Sequence, residues 1–567
     1  MTQRRDGQHI ASSELATPDL AGRALPASAA PDVQIPSGPA STRARLLASW
    51  CLFALAGVAL WAVYLRVSRT QPVNSDGASQ ALQAWDMLHG NLLLHGWWLS
   101  DVPFYSTELP EYMLVEAIRG LNADVMHVAA AMTYTLLVLM AALLARGRAT
   151  GRQAVARMLL AAGIVLAPQL GFGTYVLLLD PDHVGSSVVV MAIFLVLDRA
   201  RQRWWVPIVI GVLLAWALVA DSIVLYTGVA PLLVVCGARA YQELVARRQP
   251  ATRVWFELAL AAAAAAAVPV AIITSALIHA HGGYYAWPAL PALAPVAKTL
   301  SNLRLGLDGI ALLFGFGFFG TKLALNAAFA VLHLVGAVLA GWAVWLGVRR
   351  FFRETSLVTR VLTVAVLLNL AGYVLSAAPQ TPETGREMAA VLPFSAVLAG
   401  RLLADRLATP RLRPLLLTAL LGYGLALAHD AVQPAVPAEN IQVTAWLARH
   451  HLDYGLAGYW YASVVTLSSG SHIQVRPVCF GHQGFTTDRW EAQTSWYDPG
   501  LHRANFLVMN PHGGYGGLHS PGDGGWADCF PPRYSQVVAA FGKPAHAYRV
   551  GPDRILVWNE NLLTRLG

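Results

Sequence analysis

Residues 46–65 read LLASWCLFALAGVALWAVYL, an uncharged run preceded by Arg43 and Arg45 and followed by Arg66 and Arg69. Twenty helical residues rise about 30 Å, the thickness of the hydrocarbon core of a bilayer. The run begins too far into the chain for a cleaved secretory signal, so it predicts a first membrane-spanning helix. Working outward, further apolar stretches lie at 125–145, 158–179, 186–197, 206–238, 254–280, 309–348, 361–377, 388–400 and 414–428. The 567 residues are 56% hydrophobic and 13% charged, with mean hydropathy +0.48. Soluble domains carry about twice that share of charge. A soluble enzyme on a single anchor and a disordered chain are both excluded. Residues 1–44, rich in Ala, Pro and Ser, cannot bury enough apolar surface to offset ordering entropy and predict a disordered cytoplasmic tail.

The net charge is +8, from 40 Lys+Arg against 32 Asp+Glu. Position decides what this excess means. Arg43/45, Arg146/148/152/157, Arg199/201/203, Arg239/247/248/253, Arg349/350/353/360 and Arg401/406/411/413 form six clusters between apolar runs. More than half of the basic residues thus mark cytoplasmic loops, a topology signal rather than a nucleic-acid patch. Arg66 and Arg69 are the main exception, placed where lipid headgroups would be. Two stretches are ambiguous. Arg on both flanks of 206–238 favours two short crossings with an outside turn at Asp221-Ser222. Keeping Arg349 and Arg350 inside makes 306–320 re-entrant or surface-lying and 323–347 a span.

The predicted fold class is a polytopic α-helical membrane protein with about 11 transmembrane helices, N-terminus in and C-terminus out. Juxtamembrane helices occupy its first outer loop, and a small extracytoplasmic α/β domain ends the chain. The domains are 1–44 (tail), 45–429 (transmembrane) and 430–567 (outer). In the last, Asn440–Leu452 and Ser535–Phe541 read as helices. Ile473–Phe480, Phe506–Met509, Tyr548–Val550 and Ile555–Trp558 read as strands. Cys479 and Cys529 lie in this outer domain, where oxidation is permitted, and are a candidate disulfide. Cys51 and Cys236 sit in spans as packing residues.

Chemistry gathers in the outer loops. Asn74-Ser75-Asp76-Gly77 opens a helix whose Ala78, Ala81, Leu82, Trp85 and Leu88 share one face, with Gly90 as its stop. Asp76 is then either an N-cap or a functional carboxylate at the mouth of the membrane domain. Glu108-Leu109-Pro110-Glu111-Tyr112 starts a second juxtamembrane helix ending before Gly120. Glu108 either caps it or points into the same cavity as Asp76. Asp180-Pro181-Asp182-His183, between two apolar runs, is a solvated turn or a functional cluster. His279 and His281 precede Gly282-Gly283-Tyr284-Tyr285, a weak metal signal that aromatic-belt packing explains equally well. Gln380–Glu387 leads to Pro393-Phe394, and its outward Arg386 suits a lipid phosphate.

Taken in order, these segments resemble the GT-C superfamily of membrane glycosyltransferases, in its protein O-mannosyltransferase-like, family 39 and aminoarabinose-transferase-like groups. The resemblance rests on Asp76 followed by Met87-Leu88-His89-Gly90, on Glu108-Leu109-Pro110, on Asp180 or Asp182, and on Gly385-Arg386 before Pro393-Phe394. It covers roughly 45–405. The family's usual Asp-Glu pair is Asp76-Gly77 here. What the resemblance implies is transfer of a sugar from a polyprenyl-phosphate donor to an envelope lipid, polysaccharide or protein at the outer face of a bacterial cytoplasmic membrane. Asp76, with Asp182, would be catalytic, Asp76 as general base. Arg386 and Lys322 would hold the donor phosphate, and Glu108 and Asp180 would complete the substrate site. Glu108 with His183 or His279 would be the ligands of a divalent ion (Mg, Mn or Zn), if one assists departure of the phosphate. A transporter or flippase, or a non-catalytic envelope assembly or sensor protein, is the alternative. Polar groups gathered at one face, without an internal repeat, speak against the first.

Overall fold

The computed structural model describes residues 39–248, 250–287, 292–317, 325–438, 440–482, 484–510 and 529–566. The tail before residue 39 and Lys322 lie outside the described residues. The membrane part is built from α1 (Pro39–Ser68), α2 (Ser75–Leu88), α3 (Glu108–Arg119), α4 (Asp124–Arg146), α5 (Gly151–Val165), α6 (Phe172–Leu178), α7 (Asp182–Arg199) and α8 (Trp205–Ala220). It continues through α9 (Ala230–Tyr241), α10 (Trp255–Ala280), α11 (Thr299–Phe314), α12 (Leu325–Arg349), α13 (Leu357–Leu375), α14 (Val391–Leu407) and α15 (Arg413–Ala431).

Among the described residues, seven helices are long and apolar enough to cross a membrane, or up to nine if each of two bent pairs is one span. The chain is therefore a polytopic membrane protein. The bent pairs are α6 with α7, at 56°, and the 3-10 helix Pro382–Met388 with α14, at 52°. The count falls short of the eleven expected spans for local reasons. Pro168 follows the end of α5 and cannot continue a helix, so the expected span 158–179 breaks into the end of α5 and α6. α8 is apolar but only 16 residues long before Asp221. The stretch read as re-entrant is α11. Arg69, expected among headgroups, instead forks onto Asp124 at the start of α4, at 2.7 and 2.6 Å.

Three strands stitch the loops together: β1 (Trp97–Leu99), β2 (Tyr285–Ala286) and, from the C-terminal region, β6 (Ala492–Gln493). β1 pairs in parallel with β2 and antiparallel with β6. The main sheet contains β3 (Tyr454–Ala457), β4 (Gln474–Gly481), β5 (Gly484–Thr487), β7 (Phe506–Met509), β8 (His546–Val550) and β9 (Asp553–Val557). Its order is β5-β4-β3-β7-β9-β8. The period-2 alternation of strands divides its side chains between two faces. Leu456, Leu507 and Leu556 pack with Phe541 of α18 (Tyr534–Phe541). Ala457, Phe506 and Ile555 pack with Val443 and Leu447 of α16 (Ile441–Arg449) and Val465 of α17 (Tyr459–Ser468). Cys479 and Cys529 are joined in a disulfide, Cα atoms 5.1 Å apart.

α17 is the element that matters for the site. The Ser75 hydroxyl donates to the Tyr459 carbonyl at 2.7 Å, and the Ser79 and Ser463 hydroxyls meet at 2.9 Å. The sheet domain thereby covers α2. The apolar stripe predicted a helix lying along the membrane with one face free, yet Ser79, Gln80 and Gln83 are buried alongside Ala78 and Ala81.

Candidate active site

At the start of α2 the capping residue is Asn74. Its backbone is extended and its Oδ1 accepts from the Gly77 amide at 3.0 Å. Asp76, inside the first turn, is thus relieved of the capping role that its position suggested. Gly77 has a packing reason: a Cβ there would lie 2.6 Å from Sδ of Met126 on α4. A larger residue there would require the Met126 side chain to shift.

The Asp76 side chain is 19% exposed, and its Oδ2 lies 3.6 Å from Nη1 of Arg386. The same Nη1 donates to Oδ2 of Asp182 at 3.1 Å. Gln80, one turn along α2, donates from Nε2 to the other oxygen of Asp182 at 2.9 Å. Asn74 reaches Oδ2 of Asp180 at 3.4 Å. Three segments far apart in sequence, the first loop, the α6–α7 bend and the 382–388 turn, therefore bring Asp76, Asp180, Asp182 and Arg386 together. A largely buried carboxylate is costly unless paired, and here one guanidinium links two of the three. Burial pushes the Asp76 carboxyl above its ordinary value; Arg386 pulls it back, the Asp182 charge raises it again and the Tyr459 hydroxyl lowers it. A carboxylate with raised proton affinity suits proton abstraction from a hydroxyl.

Asp182 sits at φ +22°, a sparsely populated backbone state for a non-glycine residue. It occurs at the bend between α6 and α7, where the chain must turn to aim this carboxylate at Arg386.

The candidate metal ligands do not converge. Nδ1 of His183 is 2.8 Å from Asp221 and Nε2 is 3.4 Å from Glu387, so carboxylates occupy both ring nitrogens. His279 is exposed and stands edge-on to Tyr285, ring centroids 5.6 Å apart. Glu108 is fully buried and accepts from the Thr107 hydroxyl and, at 3.1 Å, from Ser186. Burial holds its carboxyl well above the usual range. Its Oε1 would sit 2.5 Å from a Cβ at Gly185, so it packs closely between α3 and α7. Among the described residues no group of three or more His, Cys, Asp or Glu is arranged to hold a metal ion.

Two residues of the site carry little signal in the sequence. Tyr459 on α17 donates its hydroxyl toward Oδ1 of Asp76 at 2.7 Å, and the same oxygen lies 2.7 Å from Oε2 of Glu491. A long separation along the chain hides this contact. An aromatic cluster after a glycine, Gly458-Tyr459-Trp460-Tyr461, is the only local hint. Glu387 and Asp221, which bracket His183, were within quoted motifs but had no role.

No protein-family model and no curated protein sequence matches the chain. Among solved structures it is similar to ArnT from Cupriavidus metallidurans in the apo state, with TM-score 0.52 and 14% identity over 92% of this chain and 99% of that one. The same protein bound to undecaprenyl phosphate gives TM-score 0.49 at 13% identity, over 92% of this chain and 99% of that one. The Archaeoglobus fulgidus oligosaccharyltransferase tethered with an acceptor peptide gives 0.45 at 15%, over 80% of this chain and 69% of that one. At such identity the likeness speaks for the fold alone: this chain has the fold of the ArnT structure it resembles.

Proposed function

We propose that the protein is a glycosyltransferase that takes a sugar from a polyprenyl-phosphate donor and passes it to a hydroxyl of an envelope lipid, polysaccharide or protein, at the outer face of a bacterial cytoplasmic membrane. The observation that carries this reading is the Asp76–Arg386–Asp182 array, assembled from three loops at one end of the helices. Asp76 takes the proton of the acceptor hydroxyl through Oδ2. The freed oxygen bonds to the sugar's anomeric carbon while the bond from that carbon to the phosphate oxygen breaks, its electron pair leaving with the phosphate. Arg386 is 41% exposed, and a guanidinium has five donors in a fixed fork. Those not spent on Asp182 bind the phosphate. Asp182, fixed by Gln80, and Asp180, fixed by Asn74, hold Arg386 and the α6–α7 bend in place. Lys322 remains a second candidate phosphate ligand. We place eleven passages, N-terminus in and C-terminus out, a reading supported by the way helix ends alternate between the acidic site and the arginine clusters.

The test is transfer by the purified protein from a panel of polyprenyl-phosphate sugars, compared with Asp76→Asn. Transfer that falls by the ~10²–10⁴ of a lost general base supports the mechanism. Full transfer by Asp76→Asn overturns it.

A further inference from the structure

The Tyr459 hydroxyl oxygen stands 2.7 Å from both Asp76 Oδ1 and Glu491 Oε2. A hydroxyl has one proton to donate. Two short contacts to carboxylate oxygens are satisfied together only if one of the carboxyls brings a proton of its own. Glu491 is 4% exposed and sits at a positive φ of 48°, a strained backbone that points its side chain inward just before β6. Asp76 has a guanidinium beside it. Glu491 faces Tyr459, Ser100 and, further off, the charges of Asp76 and Asp182. The asymmetry assigns the extra proton to Glu491.

We propose that Tyr459 and Glu491, both from the C-terminal domain, are positioning residues for the base: protonated Glu491 donates to the Tyr459 oxygen, which turns the single Tyr459 proton onto Asp76 Oδ1 and leaves Oδ2 to the acceptor hydroxyl. This rests on the proposed role of Asp76 and adds that the base is completed by the domain covering it. Burial and the Asp76 charge, which raise the Glu491 carboxyl well above its ordinary range, agree with this direction of donation. The groups facing Asp76 are Arg386, Asp182, Asp180, Tyr175, Tyr459 and Glu491. Of these, Tyr459 and Glu491 come from the sheet domain.

The consequences have signs. Tyr459 lowers the proton affinity of Asp76 by donating to it. Tyr459→Phe should move the acid limb of kcat/KM to higher pH and lower kcat roughly ten- to a hundredfold, the loss of a hydrogen bond to a charged group. KM for the donor, set at Arg386, should move little. Glu491→Gln can still donate to Tyr459 but cannot titrate. It should keep more activity than Glu491→Ala and lose the alkaline limb that ionisation of Glu491 imposes on the native enzyme. A readout independent of turnover is the infrared difference spectrum at neutral pH: one component of the protonated-carboxyl C=O absorption of the native protein should be lost in Glu491→Gln and kept in Asp76→Asn. Unchanged pH limbs in Tyr459→Phe and Glu491→Gln, in an enzyme that Asp76→Asn inactivates, would overturn the inference and spare the mechanism. A native-minus-Glu491→Gln difference spectrum without that component would overturn it even in a preparation that transfers no sugar.

Discussion

Asp76 and Asn74 divide two jobs that either could perform. An N-cap oxygen must face the amides of the first turn, whereas a base must face its substrate, and Asn74 takes the first role. Asp76→Asn should therefore leave thermal stability nearly unchanged while transfer collapses. Asn74→Ala should instead cost about 1 kcal/mol through the lost cap. Differential scanning of the two variants beside a transfer assay separates the roles. A second residue gives a clean pH test. Glu116 on α3 is buried, both carboxylate oxygens lack a hydrogen-bond partner among the described residues, and burial raises its carboxyl from 4.5 to about 9. A carboxyl protonated in the fold but ionised when unfolded makes stability fall as pH rises between those two values and level off beyond the upper one. Glu116→Gln should flatten that slope in melting curves taken from neutral pH to about 9. An unchanged slope would show that Glu116 is already ionised in the fold.

At the scale of elements, the position of Arg386 depends on two glycines. A Cβ at Gly385 would lie 2.8 Å from Cα of Gly309 on α11, backbone against which no side chain can yield. Gly385→Ala should push the 382–388 turn off α11, costing the ~1–3 kcal/mol of an overpacked contact and raising KM for the donor more than it lowers kcat. Donor titration of that variant is the check; unchanged KM would mean that Arg386 tolerates the displacement. This dependence also shows what was legible in the sequence. Segment order and charge placed Asp76, Asp182 and Arg386 on one side, because each loop carries its own local punctuation. The surroundings of α2 were not legible. Its apolar stripe reports one face, whereas Gln80 and Gln83 are buried in a helix packed on α3, α4 and α17, and α17 comes from a part of the chain with no sequence link to the first loop. Tyr459 and Glu491 were missed for the same reason. The metal set was hidden differently: the resemblance offered His183 as a ligand, and only the fold shows Asp221 and Glu387 on its two nitrogens.

On the scale of the whole molecule, contacts across the chain constrain the topology more tightly than helix length does. Tyr459 touches Asp76 and Val436 donates to the Arg69 carbonyl, so the C-terminal domain and the first loop lie at the same end of the helices. The same end holds Asp182 and Arg386, which are paired. It also holds Tyr285, through β1. The opposite end holds Arg401, paired with Asp198 and bonded to the Leu144 carbonyl, and Arg360, bonded to Gln242. Following the chain from Asp76, it must return to the first end by Asp180, by Asp221, by Tyr285, by Tyr373 (bonded to Thr384) and by Asp430. In the proposed topology each return takes two passages, with α5 and α6 together, and α8, crossing despite their shortness. An isolated apolar helix of 16 residues would be marginal in a bilayer; packed on α10 and ended by a buried Asp221 in contact with His183, α8 need only reach the site. Reporter fusions after Leu65, Asp182, Arg386 and Asp430 should then all read outside, and fusions at Arg152 and Arg350 inside. Thiol reagents applied to the unreduced protein should leave Cys479 and Cys529 unmodified. An inside report at Asp430 alongside an outside report at Leu65 would place Tyr459 and Asp76 on opposite sides of the membrane, and the site assembled between them could not exist.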